Sequence, residues 1–124
     1  MKFLTLNTHS WMEENPQQKF EDLLTDILEK KYDLICFQEI NQAIESPVVP
    51  VNDLYHPTPS AEPIHQDHYV RCLVEKLEEE GLSYHWTWAY NHIGYDRYHE
   101  GVAVLSRTPI QASELLVSDV NDPT

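Results

Sequence analysis

Two cysteines, Cys36 and Cys72, are the only thiols in this chain. Their spacing fits no metal-ligating pattern, and Cys36 falls in an apolar run that reads as a core strand. Two buried thiols are therefore expected rather than a disulfide, and redox chemistry has no support. Cations are scarce as well: 8 Lys and Arg stand against 21 Asp and Glu, a formal charge of −13 over 124 residues. Such a chain repels phosphate backbones at long range, which argues against passive coating of nucleic acid, and an anionic substrate would need a bridging cation. No apolar run reaches the length of a secretory leader or a membrane span, the N-terminal MKFLTLNTHSW included, so the default address is the cytoplasm. Internal repeats and low-complexity tracts are missing too. What is present, 41% hydrophobic and 23% charged residues, is the balance of one ordinary folded domain or part of a larger one.

Lys2 to Asn7 alternates Phe3, Thr5 and Asn7 with Leu4 and Leu6, a strand that ends on a polar residue. A loop from His9 to Asn15 follows. Asn15 is placed to cap a helix with Pro16 in its first position and Gln18 in its third, close to a capping box, and Phe20, Leu23, Leu24, Ile27 and Leu28 keep helical spacing. Lys30 and Lys31 close that helix, where cations complement its dipole, and Leu34-Ile35-Cys36-Phe37 suits a strand buried on both faces. A helical crossover makes the two strands parallel, so their carboxyl ends share one sheet edge and Asn7 lies near Glu39.

From Asn41 to Gln66 no period persists, and Pro47, Pro50, Pro57, Pro59 and Pro63 fall there, so a long irregular excursion is predicted. It reads equally well as a functional loop or a tolerated insertion. His68 to Glu80 reads as a second helix, with Tyr69, Cys72, Leu73 and Leu77 on one face, Glu75, Glu78 and Glu79 on a solvated one, and Gly81 as its stop. Ser83 to Tyr90 alternates so that Tyr84, Trp86, Trp88 and Tyr90 share a strand face. A polar connection, Asn91 to His99, leads to a core strand from Gly101 to Ser106, with Pro109 to Val117 as its neighbour across an Arg107-Thr108 turn.

Open α/β sheets bind ligands outside the carboxyl ends of their strands, which makes Asn7 and the Glu39 of Phe37-Gln38-Glu39 the leading candidates for chemistry. One carboxylate suffices to anchor a hard cation such as Mg²⁺, because water and substrate phosphate complete its octahedron. An amide donates to a phosphate oxygen and accepts from a metal-bound water without adding charge. The plainer alternative is that both residues merely terminate strands.

Taken in order, KFLTLNTHSW, KFEDLLTDIL, YDLICFQEIN and HEGVAVLSRTPI resemble the N-terminal half of the endonuclease/exonuclease/phosphatase superfamily, the DNase I-like metal-dependent phosphohydrolases. The likeness runs from Met1 to about Ile110. It implies an α/β (α+β) fold, the N-terminal half of a four-layer α/β/β/α sandwich, with residues 1–124 a single segment of a chain truncated at its C-terminal end. It also implies that Asn7 is the family's active-site Asn, that Glu39 is the metal-binding Glu of the Gln-Glu motif, and that Mg²⁺ or Mn²⁺ is the cofactor. His99 and Glu100, which open the His-Glu-Gly-Val-Ala segment, become further catalytic candidates lining the crevice, with a plain hairpin-end pair as the alternative. The implied reaction is in-line attack of water on a phosphodiester or phosphomonoester, in a nucleic acid or a small phosphorylated molecule. The competing reading is a non-catalytic interaction domain on the same scaffold.

Two further family motifs, an Asp-x-Asn and a Ser-Asp-His, have no match here: Ser118-Asp119 is followed by Val120, and Asn121-Asp122-Pro123 does not fit. This segment alone is therefore expected to be incomplete and inactive. A half sandwich would also leave part of the Leu34 to Phe37 and Val102 to Leu105 runs uncovered, so a complementary C-terminal half or self-association is expected.

Four other features carry weaker expectations. His65 and His68, flanking Asp67, form either an imidazole pair for a metal or surface histidines near a helix start. The aromatic face from Tyr84 to Tyr90 either stacks bases or packs in the core. Arg97, among Tyr95, Asp96 and Tyr98, meets either a phosphate or a neighbouring carboxylate. His9 and Trp11 belong to a loop at the Asn7 edge and either shape the pocket or lie on the surface.

Overall fold

Strand alternation, helical spacing and the two crossovers produce a mixed sheet with both helices on one side. The computed structural model describes residues 1–12, 14–59, 61–94 and 98–110, with the backbone alone for 91–94. Its elements are β1 (Phe3–Asn7), a 3-10 turn (Ser10–Met12), α1 (Pro16–Lys30), β2 (Leu34–Ala43), α2 (Tyr69–Glu79), β3 (His85–Gly94) and β4 (Tyr98–Ser106). The sheet order is β1-β2-β4-β3, with β1 parallel to β2 and the other pairs antiparallel. The strand expected at Pro109 to Val117 falls largely, and Tyr95 to Arg97 entirely, outside the described residues. No helix among the described residues is long and apolar enough to cross a membrane.

The helix-side face holds the core. Phe20, Leu23 and Ile27 of α1 and Tyr69, Val70, Leu73, Val74 and Leu77 of α2 cover Ile35, Phe37, Trp86, Trp88, Ala103 and Leu105. Each large apolar side chain removed from water here contributes roughly 2 kcal/mol. Packing therefore decides the fate of the aromatic strand: Tyr84, Trp86 and Trp88 are buried, the Trp88 indole N–H donates to the Ile40 carbonyl at 3.1 Å, and no free stacking surface is left. On the opposite face Leu34 and Cys36 are half-buried around a small cluster with buried Ala89 and Val104, and Val102 is half-buried, so the expected uncovering is only partial. Cys36 and Cys72 are both half-buried and not joined to each other.

Three local expectations change. Asn15 adopts a left-handed conformation (φ 54) and its side chain makes no cap bond, because capping of the N2 or N3 amide needs an extended backbone at that position. Gln18 bonds Asp22 instead, at 2.9 Å. α2 starts one residue later than expected, because His68 is its N-cap and accepts from the Arg71 N–H at 3.3 Å. Both β2 and β3 run past their expected ends, β2 to Ala43 and β3 to Gly94. The register shifts between Phe37 and Ile40 and between Tyr90 and His92, and these bulges hide the continuation from a period-two pattern.

The irregular segment from 44 to 67 is tied down at several points. Val49 and Gln66 donate backbone bonds to Ile64 and Pro47 at 2.9 and 2.8 Å, and residues 54–56 exchange two bonds of 2.8 Å with Trp86 at the β3 edge. Buried Gln42 fastens the returning arm: it donates to the Pro63 carbonyl at 2.8 Å and accepts from the His65 N–H at 2.6 Å.

Two outcomes follow from this packing. A Cβ on Gly101 would sit 2.0 Å from the Ala89 carbonyl oxygen, a backbone atom of the neighbouring strand that cannot rotate away. Gly101→Ala is expected to lose about 3 kcal/mol in urea unfolding. The second concerns His68, fully buried against Trp88 and Trp86 at ring distances of 4.5 and 5.2 Å. Burial first, then His65 and Arg71, push its pKa down from 6.5 to about 3. The unfolded chain thus takes up a proton that the native one refuses, so this contribution is complete above pH 6.5 and is lost as pH falls toward 3. Stability should drop by about 1.4 kcal/mol per pH unit within that window. His68→Asn, which keeps a capping acceptor, should flatten this slope in unfolding curves taken at successive pH values.

Candidate active site

β1 ends opposite Gln38, and the Thr8 N–H closes the last backbone bond to the Gln38 carbonyl at 3.2 Å. One residue later β2 bulges, and Glu39 takes a left-handed conformation with φ 56. Strand alternation is broken there, and the Glu39 side chain is turned toward the end of β1. The Asn7 amide N–H donates to Glu39 Oε2. Asn7 Oδ1 accepts the His9 backbone N–H at 3.2 Å, which fixes the orientation of the amide. His9 Nδ1 lies 3.1 Å from Glu39 Oε1, so the imidazole donates to the second carboxylate oxygen. The His9 and Glu39 side chains remain 49% and 40% exposed, so solvent reaches the carboxylate directly.

The structure thus brings together Asn7 and Glu39, as anticipated from the parallel crossover, and adds His9 as a direct partner. His9 follows a strand-terminal Asn by two residues, the spacing of an Asx turn, and that was the available signal for it. Trp11 has a different task. Its indole N–H donates to the Asp67 carbonyl at 2.8 Å and its ring lies 5.2 Å from Phe20 and 4.7 Å from Tyr69, so it anchors the loop to the core.

His99 and Glu100 separate across the sheet. Glu100 lies opposite Asn41 on the face that Asn7 and Gln38 share, at the same edge. His99 lies opposite Gln42 on the helix-side face, with Nδ1 3.1 Å from the Gln42 amide nitrogen and its ring 5.5 Å from His65 and 5.2 Å from Tyr90. Burial lowers the His99 pKa, keeping the ring neutral.

His65 and His68 are not surface residues. His65 donates from Nδ1 to the Ala43 carbonyl at 2.8 Å, His68 is the buried cap of α2, and both Asp67 oxygens accept the Ala43 N–H at 3.1 and 3.0 Å. His65 and Asp67 hold the excursion to β2 and His68 caps α2, so all three have structural tasks.

Among the described residues no three His, Cys, Asp or Glu side chains converge to hold an ion. The donor set at Glu39 is one exposed carboxylate, flanked by the Asn7 amide N–H on one oxygen and the His9 imidazole on the other. That fits Mg²⁺ or Mn²⁺, which keep most of their waters, and not a closed nitrogen and sulfur cage.

The model of the Endonuclease/Exonuclease/phosphatase family matches residues 10–123, a span that contains Glu39 and Glu100 and begins after Asn7. The solved structure of an endonuclease/exonuclease/phosphatase family protein from Leptotrichia buccalis C-1013-b is similar with a TM-score of 0.74 at 37% sequence identity. That similarity covers 90% of this chain and 38% of the relative, so the chain spans well under half of the relative's length. No curated protein matches the chain. Proteins of this family are generally divalent-metal-dependent phosphoesterases or nucleases. The matched span and the shared fold show that this chain belongs to the endonuclease/exonuclease/phosphatase family.

Proposed function

We propose that this chain supplies the metal-binding side of a cytoplasmic phosphoesterase, hydrolysing a phosphodiester or phosphomonoester in a nucleic acid or a small phosphorylated molecule. The observation that carries this reading is the contact of the Asn7 amide with the Glu39 carboxylate across two adjacent strand ends. Glu39 is the residue to hold Mg²⁺ or Mn²⁺. When bound there, the cation neutralises charge developing on the phosphoryl oxygens and supplies the attraction that a chain of formal charge −13 otherwise lacks.

The protein's own groups have separate tasks. Asn7 sits within reach of both the carboxylate and the open edge, where its N–H donors can meet a phosphate oxygen without adding negative charge. His9 holds the carboxylate from its other oxygen and orients it toward solvent. Glu100, on the Asn7 face of β4, lines the same edge. His99, on the opposite, helix-side face, supports the excursion through Gln42 and is not part of the site. The base that orients water, and its carboxylate partner, come from the complementary C-terminal half.

In the full-length protein, hydrolysis of bis-p-nitrophenyl phosphate should require Mg²⁺ or Mn²⁺ and cease on addition of EDTA. Glu39→Gln is expected to lose at least roughly 100-fold in activity and Asn7→Ala about 100- to 1000-fold in kcat. Turnover that is indifferent to EDTA overturns the metal-dependent reading. A folded full-length protein with no turnover on any phosphoester supports the non-catalytic scaffold instead.

A further inference from the structure

We propose that Ser10 is a positioning residue that sets metal affinity by holding the Glu39 bulge in place, without itself touching the ion. This deepens the reading of Glu39 as the metal ligand and rests on it. The reason lies in the unequal lengths of two neighbouring strands. β1 stops opposite Gln38, whereas β2 continues to Ala43, so among the described residues no strand pairs with the β1 side of β2 from Glu39 onward. Side chains take over the missing ladder. The Ser10 hydroxyl donates to the Glu39 carbonyl at 2.8 Å and accepts the Asn41 N–H at 3.0 Å. Further along, the Asp67 carboxylate accepts the Ala43 N–H.

Thr8 Oγ1 also reaches the Glu39 carbonyl, at 3.5 Å, but among the described residues the Ser10 hydroxyl alone ties that carbonyl to the Asn41 N–H beyond the bulge. Ser10 is 2% exposed, so bulk water cannot replace it. Its own position is fixed from behind: the Ser10 N–H donates to Thr8 Oγ1 at 3.0 Å, and Thr8 Oγ1 in turn lies 3.3 Å from the Gln38 carbonyl. Glu39, at φ 56, occupies a backbone region that an L-residue adopts only when its surroundings enforce it. Without the clamp the bulge relaxes toward extended backbone, and the carboxylate swings away from Asn7 and His9.

A serine that merely satisfies buried backbone would affect stability and leave the metal alone. The positioning role instead predicts a shift in metal affinity at fixed fold. Calorimetric titration of the full-length protein with Mn²⁺, alongside circular dichroism to verify folding, separates the two. Ser10→Ala is expected to weaken Mn²⁺ binding about 10- to 100-fold, the usual effect of removing a group that orients a ligand. Saturating Mn²⁺ should restore most of kcat. Should Ser10→Ala fail to fold, Ser10→Cys, with its weaker donor, is expected to show an intermediate loss. Wild-type affinity in a folded Ser10→Ala or Ser10→Cys variant overturns the proposal, provided Glu39→Gln abolishes binding. If Glu39→Gln binds Mn²⁺ as tightly as wild type, it is the assignment of Glu39 that fails.

Discussion

The site depends on one backbone residue held in an unfavourable conformation. An uninterrupted strand would place Glu39 and Gln38 on alternate faces of the sheet, with neither aimed at the end of β1. The bulge at Glu39, with φ 56, redirects the carboxylate sideways, where the Asn7 amide and the His9 imidazole meet its two oxygens. Three side chains and a buried serine thus converge on a single kink. The neighbouring elements serve to keep that kink from relaxing: Trp11 pins the loop between α1 and α2, and Asp67 caps the next open amide of β2.

The fold around this point has two unequal faces. Helices α1 and α2 seal one of them with fully buried aliphatic and aromatic side chains. The other carries the half-buried Leu34, Cys36 and Val102 and, at the β1 edge, a Phe3 that is 63% exposed. Asn7, Gln38 and Glu100 lie at the rim of this second face, on the side away from the helices. The open side of the Glu39 carboxylate is therefore bordered by polar groups from three strands, with the helix layer behind them.

Much of the architecture is legible in the residues themselves. The Phe20 to Leu28 spacing, the apolar run at Leu34 to Phe37 and the polar strand ends at Asn7 and Glu39 are enough to place a parallel βαβ unit and to bring its two tips together. What stayed hidden was everything that depends on a break in periodicity. The bulge near Glu39 and the one between Tyr90 and His92 let β2 and β3 outlast their apparent ends, because one extra residue resets which positions face the core. The separation of His99 from Glu100 follows from simple alternation along β4, yet it becomes visible only once the strand is known to begin at Tyr98. His68 was misplaced for a different reason. Its burial arises from two tryptophans of a distant strand, and no local pattern encodes that contact.

The formal charge of −13 and the phosphoester substrate proposed for this chain are reconciled by the same local geometry. Repulsion between exposed charges is screened within about 10 Å at ordinary ionic strength, so carboxylates on the far side of α1 and α2 contribute little at the strand edge. The groups in direct contact with the Glu39 carboxylate are an amide and an imidazole, neither of which adds negative charge, while Glu100 stands opposite Asn41 at the same edge. On the proposed reading Glu39 supplies the charge that would hold a divalent cation, and the two groups that touch its carboxylate, the Asn7 amide and the His9 imidazole, add no negative charge. A second carboxylate in contact with Glu39 would tighten ion binding but cancel part of the cation's charge, whereas a single one would leave that charge to face a phosphoester.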